Sequence, residues 1–253
     1  MPDRGDGHGL AGKVVVVTGG SRGLGLAMVE AFAAAGARTV VASRKLDACV
    51  AVSERLVGTY GVESMPYAVN VSRWADCDAL VEAVHERFGR VDVLVNNAGL
   101  SPLYPSLDEV TEELFDKTIA INLRGPFRLG AAIGTRMAAD GGGTIVNISS
   151  IGAMRPDPFA VPYAAAKAGL HALTEGFAKA FGPTVRVNTV QVGPFLTDVS
   201  AHWDDAYRTK LESMLALGRC AEPEEIVGAV LHLAGATSSF TTGALLRVDG
   251  GWP

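Results

Sequence analysis

The sequence of 253 residues has few of the features that mark membrane proteins and nucleic-acid-binding proteins. Arg, Asp, Glu or Lys interrupts every long apolar run, so no stretch approaches the length of a membrane span. There is no block of Lys or Arg, and the formal net charge is -5, which argues against nucleic acid as the main partner. We therefore expect neither a membrane nor a nucleic acid as a partner.

Metal ligands and paired cysteines are also scarce. The three cysteines, Cys49, Cys77 and Cys220, are scattered and odd in number, which favours reduced thiols over a disulfide framework. The five histidines form no H-x-x-x-H pair and no Cys/His cluster, so we predict no metal site. The N-terminus lacks the basic-then-apolar order of a signal peptide. These features together favour a cytoplasmic location.

Strand-like and helix-like runs alternate along the whole chain. This order predicts an α/β fold of the Rossmann type, a doubly wound parallel sheet of about seven strands with helices on both faces. The predicted strands are 13–18, 39–42, 64–69, 91–95, 143–148, 185–190 and 244–248, and the predicted helices are 27–35, 47–56, 74–88, 112–137, 163–181 and 223–234. No linker or repeat interrupts the pattern, which indicates a single domain over 1–253 with a flexible tail at 1–10.

The first strand ends in a glycine-rich turn, T-G-G-S-R-G-L-G over residues 18–25, and a helix follows at once. Glycines at this junction allow a sharp turn and a close approach of a ligand to the backbone. The N-terminus of the helix offers free N–H groups and a positive dipole to a pyrophosphate. The spacing differs from G-x-G-x-x-G, and a structural loop without a ligand remains the alternative.

The end of the second strand favours NADP(H) over NAD(H). An acid at this position would bind the ribose 2′-hydroxyl and repel a 2′-phosphate, yet no acid occurs before Asp47. Ser43 and Arg44 offer a hydroxyl and a planar guanidinium to a phosphate, and Arg22 is predicted to close on it from the other side. The alternative is that Arg44 is a solvated loop charge. Asn70 and Val71, after the third strand, are placed to contact adenine.

Tyr163 and Lys167 lie four residues apart in a helix-like run, so they share one helix face. A free Tyr, with a pKa of about 10, is a poor acid or base at neutral pH. A nearby ammonium favours the phenolate and lowers that pKa towards a useful range. The same spacing also occurs where Tyr packs and Lys is merely solvated.

Several motifs in the same order make the chain resemble the short-chain dehydrogenase/reductase family, and within it the 3-oxoacyl-(acyl carrier protein) reductase type. The matching features extend from Thr18 to Trp252 and cover essentially the whole chain. Besides the glycine-rich turn they are Asn96, Asn97, Ala98, Gly99, Asn122, Ser150, Tyr163, Lys167 and the ending Val248, Asp249, Gly250, Gly251.

The resemblance implies hydride transfer between a nicotinamide dinucleotide and a carbonyl or secondary alcohol. It makes Tyr163 the general acid or base, Lys167 its partner and a ligand of the nicotinamide ribose, and Ser150 a donor to the substrate oxygen. Asn122 would order a water that links Lys167 to solvent, whereas Ser149 is expected to be a packing residue. The cofactor contacts implied by the resemblance come from Gly19, Ser21, Arg22, Gly23, Leu24, Gly25, Asn97, Ala98, Gly99, Tyr163, Lys167, Gly193, Phe195 and Thr197.

Three departures from the family pattern leave these proton-transfer residues untouched. Val192 stands where the family usually has Pro before Gly193, and Asn70 replaces a frequent acid. The segment 181–186 is about one residue shorter than usual.

Substrate and assembly are less well defined. Stretches at 101–106, 151–161 and 195–207 supply apolar side chains to a predicted pocket, although packing under loops is an equal alternative for each. These side chains are Tyr104, Met154, Phe159, Phe195, Trp203 and Tyr207. Arg155 is more readily a solvated charge than an anion ligand, and the polar run after Thr197 resembles a mobile lid. The helices at 112–137 and 163–181, with Trp252 as a second contact, predict a homodimer or homotetramer.

Two other functions are compatible with parts of the pattern. A non-catalytic dinucleotide sensor or scaffold would need the glycine-rich turn but not the proton donor. A cofactor-free lyase on the same fold would not need the turn. The sequence does not choose among 3-oxoacyl thioesters, sugars, steroids and other ketones as substrates.

Overall fold

The computed structural model describes residues 7–198, 200 and 203–253 and contains one parallel sheet of seven strands in the order β3-β2-β1-β4-β5-β6-β7. The strands are β1 Val14–Thr18, β2 Arg38–Ser43, β3 Ser64–Ala68, β4 Val93–Asn96, β5 Gly143–Ser150, β6 Val185–Val192 and β7 Leu245–Val248. The predicted Rossmann-type topology is confirmed, with its reversal of strand order between β1 and β4.

Both faces of the central strands β1 and β4 are buried, which explains their continuous apolar sequences. In β1, Val15 and Val17 pack into one core cluster while Val14 and Val16 pack into the other. Side chains alternate between faces along a strand, so a run of valines serves both layers at once. The edge strand β3 tolerates Pro66 because an edge needs fewer ladder hydrogen bonds.

The helices follow the predicted order with several differences. They are α1 Gly23–Ala34, α2 Leu46–Tyr60, α3 Trp74–Phe88, α4 Glu112–Ile119, α5 Gly125–Ala139, α6 Val161–Phe181, α7 Asp205–Met214 and α8 Val227–Ala234. Helix α1 starts four residues earlier than predicted, a 3₁₀ turn at Pro223–Ile226 precedes α8, and α7 was not predicted. Asp204 caps α7 by accepting a hydrogen bond from the Tyr207 amide at 2.7 Å.

The prediction of one continuous helix over 112–137 is wrong. A π turn at Ala120–Arg124 separates α4 from α5. Pro126, in the first turn of α5, has no N–H to donate, so a regular α-helical ladder cannot run through this point. Such turns recur at functional sites, and this one carries Asn122.

Residues 8–10, which were predicted to belong to a flexible tail, contact the rest of the fold. Leu10 is 1 % exposed within the core, and the His8 carbonyl accepts a hydrogen bond from the Ala236 amide at 2.8 Å. Residues 1–6 of the predicted tail lie outside the described residues. None of the helices in the described part of the chain is long and apolar enough to cross a membrane.

Candidate active site

The glycine-rich turn after β1 has the backbone geometry of a ligand cradle. Gly19 and Gly23 adopt φ values of 68° and 51°, in the left-handed region that glycine tolerates best. A Cβ built on Gly25 would lie 2.0 Å from the Gly19 carbonyl oxygen, so no other residue fits there. Helix α1 begins without a side-chain cap, which leaves its first N–H groups facing the turn.

The loop after β4 is fastened to this turn. The Thr18 hydroxyl accepts hydrogen bonds from the amides of Asn97 at 3.0 Å and Ala98 at 3.1 Å. The Asn97 side-chain amide in turn donates to the Thr18 carbonyl at 2.9 Å. The two loops therefore form one rigid wall at the reversal of strand order, where α/β sheets bind their ligands.

The ends of β2 and β3 lie beside the glycine-rich turn. The Ser21 hydroxyl donates to the Ser43 hydroxyl at 2.9 Å. Arg44 is exposed and forms no ion pair with any other residue that the structure describes. Asn70 accepts hydrogen bonds from Ser72, whereas Val71 is buried in the core, so its side chain is less available than predicted.

Arg22 points away from this group. Its guanidinium pairs with the Asp198 carboxylate at 3.3 Å rather than closing towards Ser43 and Arg44. Thr197, the neighbour of Asp198, lies over the turn, since its Cβ is 3.5 Å from a Cβ built on Gly23. The segment after β6 thus covers one side of the cradle.

Tyr163 and Ser150 come together from two different elements. Ser150 is the last residue of β5, and its hydroxyl accepts a hydrogen bond from the Gly152 amide at 3.1 Å. Tyr163 lies in the first turn of α6, and a Cβ built on Gly152 would be 3.5 Å from the Ser150 Oγ and 3.8 Å from the Tyr163 ring, so the two side chains lie close together. The Lys167 ammonium, one turn further on, is 5.7 Å from the centre of the Tyr163 ring. The three side chains predicted to share a site therefore do so.

The pKa of Tyr163 is raised rather than lowered. Burial disfavours the phenolate, and the hydrogen bond with Ser150 offsets only part of this effect. Lys167 is not among the causes of this shift, and its Nζ donates to the Ile148 carbonyl at 2.8 Å. The predicted direction is thus wrong for this structure, since the sequence pattern did not reveal how deeply the phenol is buried.

Burial also lowers the pKa of Lys167, from an ordinary 10.5 to about 8. Lys167 is only 4 % exposed, so its charged form loses hydration that a single hydrogen bond to the Ile148 carbonyl cannot replace. Lys167 is therefore poised to exchange a proton near neutral pH, which an exposed lysine is not.

The lowered pKa of Lys167 predicts a pH-dependent stability. Between pH 8 and 10.5 the unfolded chain keeps this proton while the folded chain loses it, so stability rises with pH across that window. Relative to a Lys167→Met variant, the free energy of unfolding of wild type should rise by roughly 3 kcal/mol between pH 8 and pH 10.5, as measured by urea unfolding. Lys179→Met, an exposed lysine on the same helix, is the control and should show no such trend. If the difference in the free energy of unfolding between wild type and Lys167→Met did not change with pH, the prediction would be contradicted.

Asn122 is fully buried at the π turn and ties that turn to the loop after β4. Its side-chain amide donates to the carbonyls of Leu100 at 2.7 Å and Thr118 at 2.9 Å. Its oxygen accepts from the Leu100 amide at 3.2 Å. Asn122 and the Lys167 ammonium both border Gly99, where a built Cβ would be 3.1 Å and 3.8 Å from their polar atoms. This anchoring role was not foreseen, and the predicted water relay stays a prediction.

Ser149 faces the opposite side of the strand from Ser150. It is buried, and its hydroxyl lies 2.7 Å from the His171 Nε2. Burial and the nearby Lys167 charge lower the pKa of His171. Ser149 therefore links β5 to α6, which agrees with its predicted role as a packing residue.

The segment after β6 completes the cleft by backbone contacts. The Gly193 amide donates to the Val248 carbonyl at 3.0 Å, and a Cβ on Gly193 would lie 2.7 Å from the Asp249 Cα. Phe195 is buried in the core and pairs with Ala221 in an isolated bridge, so its backbone rather than its ring borders the cleft.

The predicted substrate side chains divide into two groups. Met154 and Phe159 are 57 % and 52 % exposed on the segment between Ser150 and α6, and Trp203 packs edge-on against Tyr207. Tyr104 is instead 6 % exposed. Its hydroxyl donates to the Pro158 carbonyl at 3.0 Å and accepts from the Val161 amide at 2.7 Å, which fixes the start of α6.

Within the described residues, no group of three His, Cys, Asp or Glu side chains is placed to hold a metal ion. The arrangement contains instead a phenol, a hydroxyl and an ammonium at one end of a glycine-lined cleft. The phenol and the hydroxyl of such a set can donate a proton and a hydrogen bond to one oxygen atom.

Comparisons with known proteins agree with this geometry. The family model described as enoyl-(acyl carrier protein) reductase matches residues 19–253. The chain is 36% identical to D-threitol dehydrogenase of Mycolicibacterium smegmatis, with 96% of this chain and 94% of the relative covered. It is 35% identical to a 3-oxoacyl-[acyl-carrier-protein] reductase of Thermotoga maritima, with coverages of 96% and 98%.

Solved structures of reductases are also similar to this chain over nearly its whole length. The NADPH-dependent 3-quinuclidinone reductase of Rhodotorula rubra superposes with a TM-score of 0.93 at 30% identity, covering 100% of this chain and 96% of the other. The L-sorbose reductase of Gluconobacter frateurii, complexed with NADPH and L-sorbose, has a TM-score of 0.90 at 30% identity, with coverages of 96% and 97%.

Proposed function

This chain belongs to the short-chain dehydrogenase/reductase family, and we propose that Tyr163 is its general acid and base. The protein is an NAD(P)-dependent oxidoreductase that acts on an alcohol or carbonyl substrate. The observation that carries the role of Tyr163 is the closeness of its ring to the Ser150 hydroxyl and to the buried Lys167 ammonium. A sensor or scaffold function is not favoured, because it would not require this set of side chains.

The glycine-rich turn fits a dinucleotide. Its glycines adopt left-handed backbone conformations, and Gly25 packs so closely on Gly19 that no Cβ fits there. The uncapped start of α1 leaves N–H donors for a pyrophosphate. The residues that would hold the cofactor are Gly19, Ser21, Gly23, Leu24, Gly25, Ser43, Arg44, Asn97, Ala98, Gly99, Gly193 and Thr197. When bound, the cofactor supplies or accepts the hydride.

The side chains of the site act on the oxygen of the substrate. In reduction, the Tyr163 hydroxyl gives its proton to the carbonyl oxygen as negative charge develops there, and Ser150 donates a hydrogen bond to the same atom. The raised pKa of Tyr163 keeps the phenol protonated and ready as an acid at neutral pH. Lys167, with its pKa of about 8, is poised to exchange a proton at neutral pH once the phenolate has formed. Oxidation of an alcohol reverses these transfers.

We propose NADPH as the preferred dinucleotide. Arg44 is exposed at the end of β2 with no carboxylate paired to it in the described structure, and the Ser21–Ser43 pair lies next to it. A 2′-phosphate would find a planar cation and two hydroxyls there.

Thermal-shift titration tests this preference. At equal concentrations NADPH should raise Tm more than NADH does, and Arg44→Ala should weaken NADPH binding about 10-fold or more, which removes the difference. Arg55→Ala is the matched control, because Arg55 is an exposed arginine on α2 that pairs with Glu30. This substitution should leave the difference between the NADPH and NADH shifts unchanged. A larger shift with NADH in wild type would overturn the proposal.

The substrate remains to be found among small carbonyl compounds and alcohols. A turnover screen with NADPH should include 3-oxoacyl thioesters, sugars, steroids and simple ketones, since the relatives named above include reductases of sorbose and of 3-oxoacyl groups. A homodimer or homotetramer through α4, α5 and α6 is supported by the exposed aromatic rings of Phe115 and Phe127. A cytoplasmic location also stays a prediction.

A further inference from the structure

An exposed ion pair crosses the mouth of the cofactor cleft. The Arg22 guanidinium, on the glycine-rich turn, lies 3.3 Å from the carboxylate of Asp198, on the segment after β6. The two residues are 176 positions apart in sequence. Both side chains are mostly exposed, so the pair is weak and its partners can exchange.

Arg22 has two possible anionic partners. Arg22 follows Ser21, whose hydroxyl hydrogen-bonds to Ser43, so a change of side-chain rotamer would carry its guanidinium from Asp198 towards the proposed 2′-phosphate position at the end of β2. A guanidinium makes its best contact as a planar fork with a single carboxylate or phosphate. Arg22 therefore cannot serve Asp198 and a 2′-phosphate fully at the same time.

We infer that Asp198 is a specificity-determining residue that limits the preference for NADPH over NADH by competing for Arg22. This inference rests on the proposed function. A ligand with a 2′-phosphate must draw Arg22 away from the carboxylate, and it also meets the repulsion of the carboxylate itself. A ligand with a 2′-hydroxyl needs neither change, so its affinity does not depend on Asp198.

Dissociation constants for NADPH and NADH, measured by calorimetry at low ionic strength, test the inference in four proteins. These are wild type, Asp198→Asn, Arg22→Ala and the double variant. Asp198→Asn should bind NADPH about 2- to 5-fold more tightly and NADH unchanged. In the Arg22→Ala background the same substitution should have no effect on the NADPH affinity. Added salt should shrink the gain, because both interactions are exposed.

Asp205→Asn controls for the general loss of one negative charge. Asp205 is exposed in the first turn of α7 and forms no ion pair with the residues described, so its substitution should leave both affinities unchanged. An Asp198→Asn effect that is equal for NADPH and NADH, absent, or undiminished without Arg22 would overturn the inference. If none of the proteins binds either dinucleotide, the proposed function fails instead, and the two failures are thus distinguishable.

Discussion

Replacement of Tyr163 by Phe is expected to lower kcat/KM for carbonyl reduction by about 10²- to 10⁴-fold, which is the usual contribution of a positioned general acid. The ring keeps its packing in the first turn of α6, but the proton donor beside Ser150 is lost. Steady-state NADPH oxidation with a carbonyl compound found in the screen gives the rate. The Kd for NADPH should change little, because the substitution removes one hydroxyl and leaves the glycine-rich turn intact.

Tyr60→Phe is a suitable control for the loss of a phenol. Tyr60 is the last residue of α2 and is partly exposed, far along the chain from the site. Its substitution should leave kcat/KM at the wild-type value. If Tyr163→Phe retained the wild-type rate, the assignment of Tyr163 as the proton donor would be wrong, whatever its hydrogen bonds.

Replacement of Gly25 by Ala should weaken dinucleotide binding roughly 10- to 100-fold. The added Cβ would lie 2.0 Å from the Gly19 carbonyl oxygen and 2.7 Å from the Asn97 side chain, so the turn has to move. Overpacking of this kind costs about 1–3 kcal/mol, and here the cost distorts the N–H donors that hold a pyrophosphate. Calorimetric titration with NADPH measures the loss, and circular dichroism verifies that the variant is folded.

Gly58→Ala provides the matched control for Gly25→Ala. Gly58 lies within α2, and a Cβ built on it meets no heavy atom within 4 Å. Alanine there should leave NADPH binding unchanged and raise the free energy of unfolding by roughly 0.4–1 kcal/mol. Wild-type affinity in folded Gly25→Ala would show that the glycine-rich turn does not hold the dinucleotide.

The parts of the molecule that were predictable are those set by local pattern. Strand β1 is evident because an unbroken run of valines suits a strand buried on both faces. The glycine-rich turn and the pair Tyr163 and Lys167 are also local, since short fixed spacings place their members together. Seven strands in the expected order followed from the alternation of such segments.

The parts that were missed depend on contacts between distant residues. The pairing of Arg22 with Asp198 and the bonds from the Tyr104 hydroxyl to α6 join segments that no local spacing relates. The π turn at Asn122 arises from Pro126 and from the loop that Asn122 holds. The direction of the pKa change of Tyr163 follows from burial, which only the packed structure shows.

The Tyr104 hydroxyl has a consequence for how this enzyme can be redesigned. It holds Pro158 and Val161 at the C-terminal end of the segment that joins Ser150 to α6. We expect that exposed side chains of this segment, such as Met154 and Phe159, can be exchanged without a change in the position of the helix that carries Tyr163. Mutant libraries for new substrates should therefore randomise exposed residues such as Met154 and Phe159 and keep Tyr104, Gly152 and Pro158, and we expect selectivity to change while the chemical step is preserved.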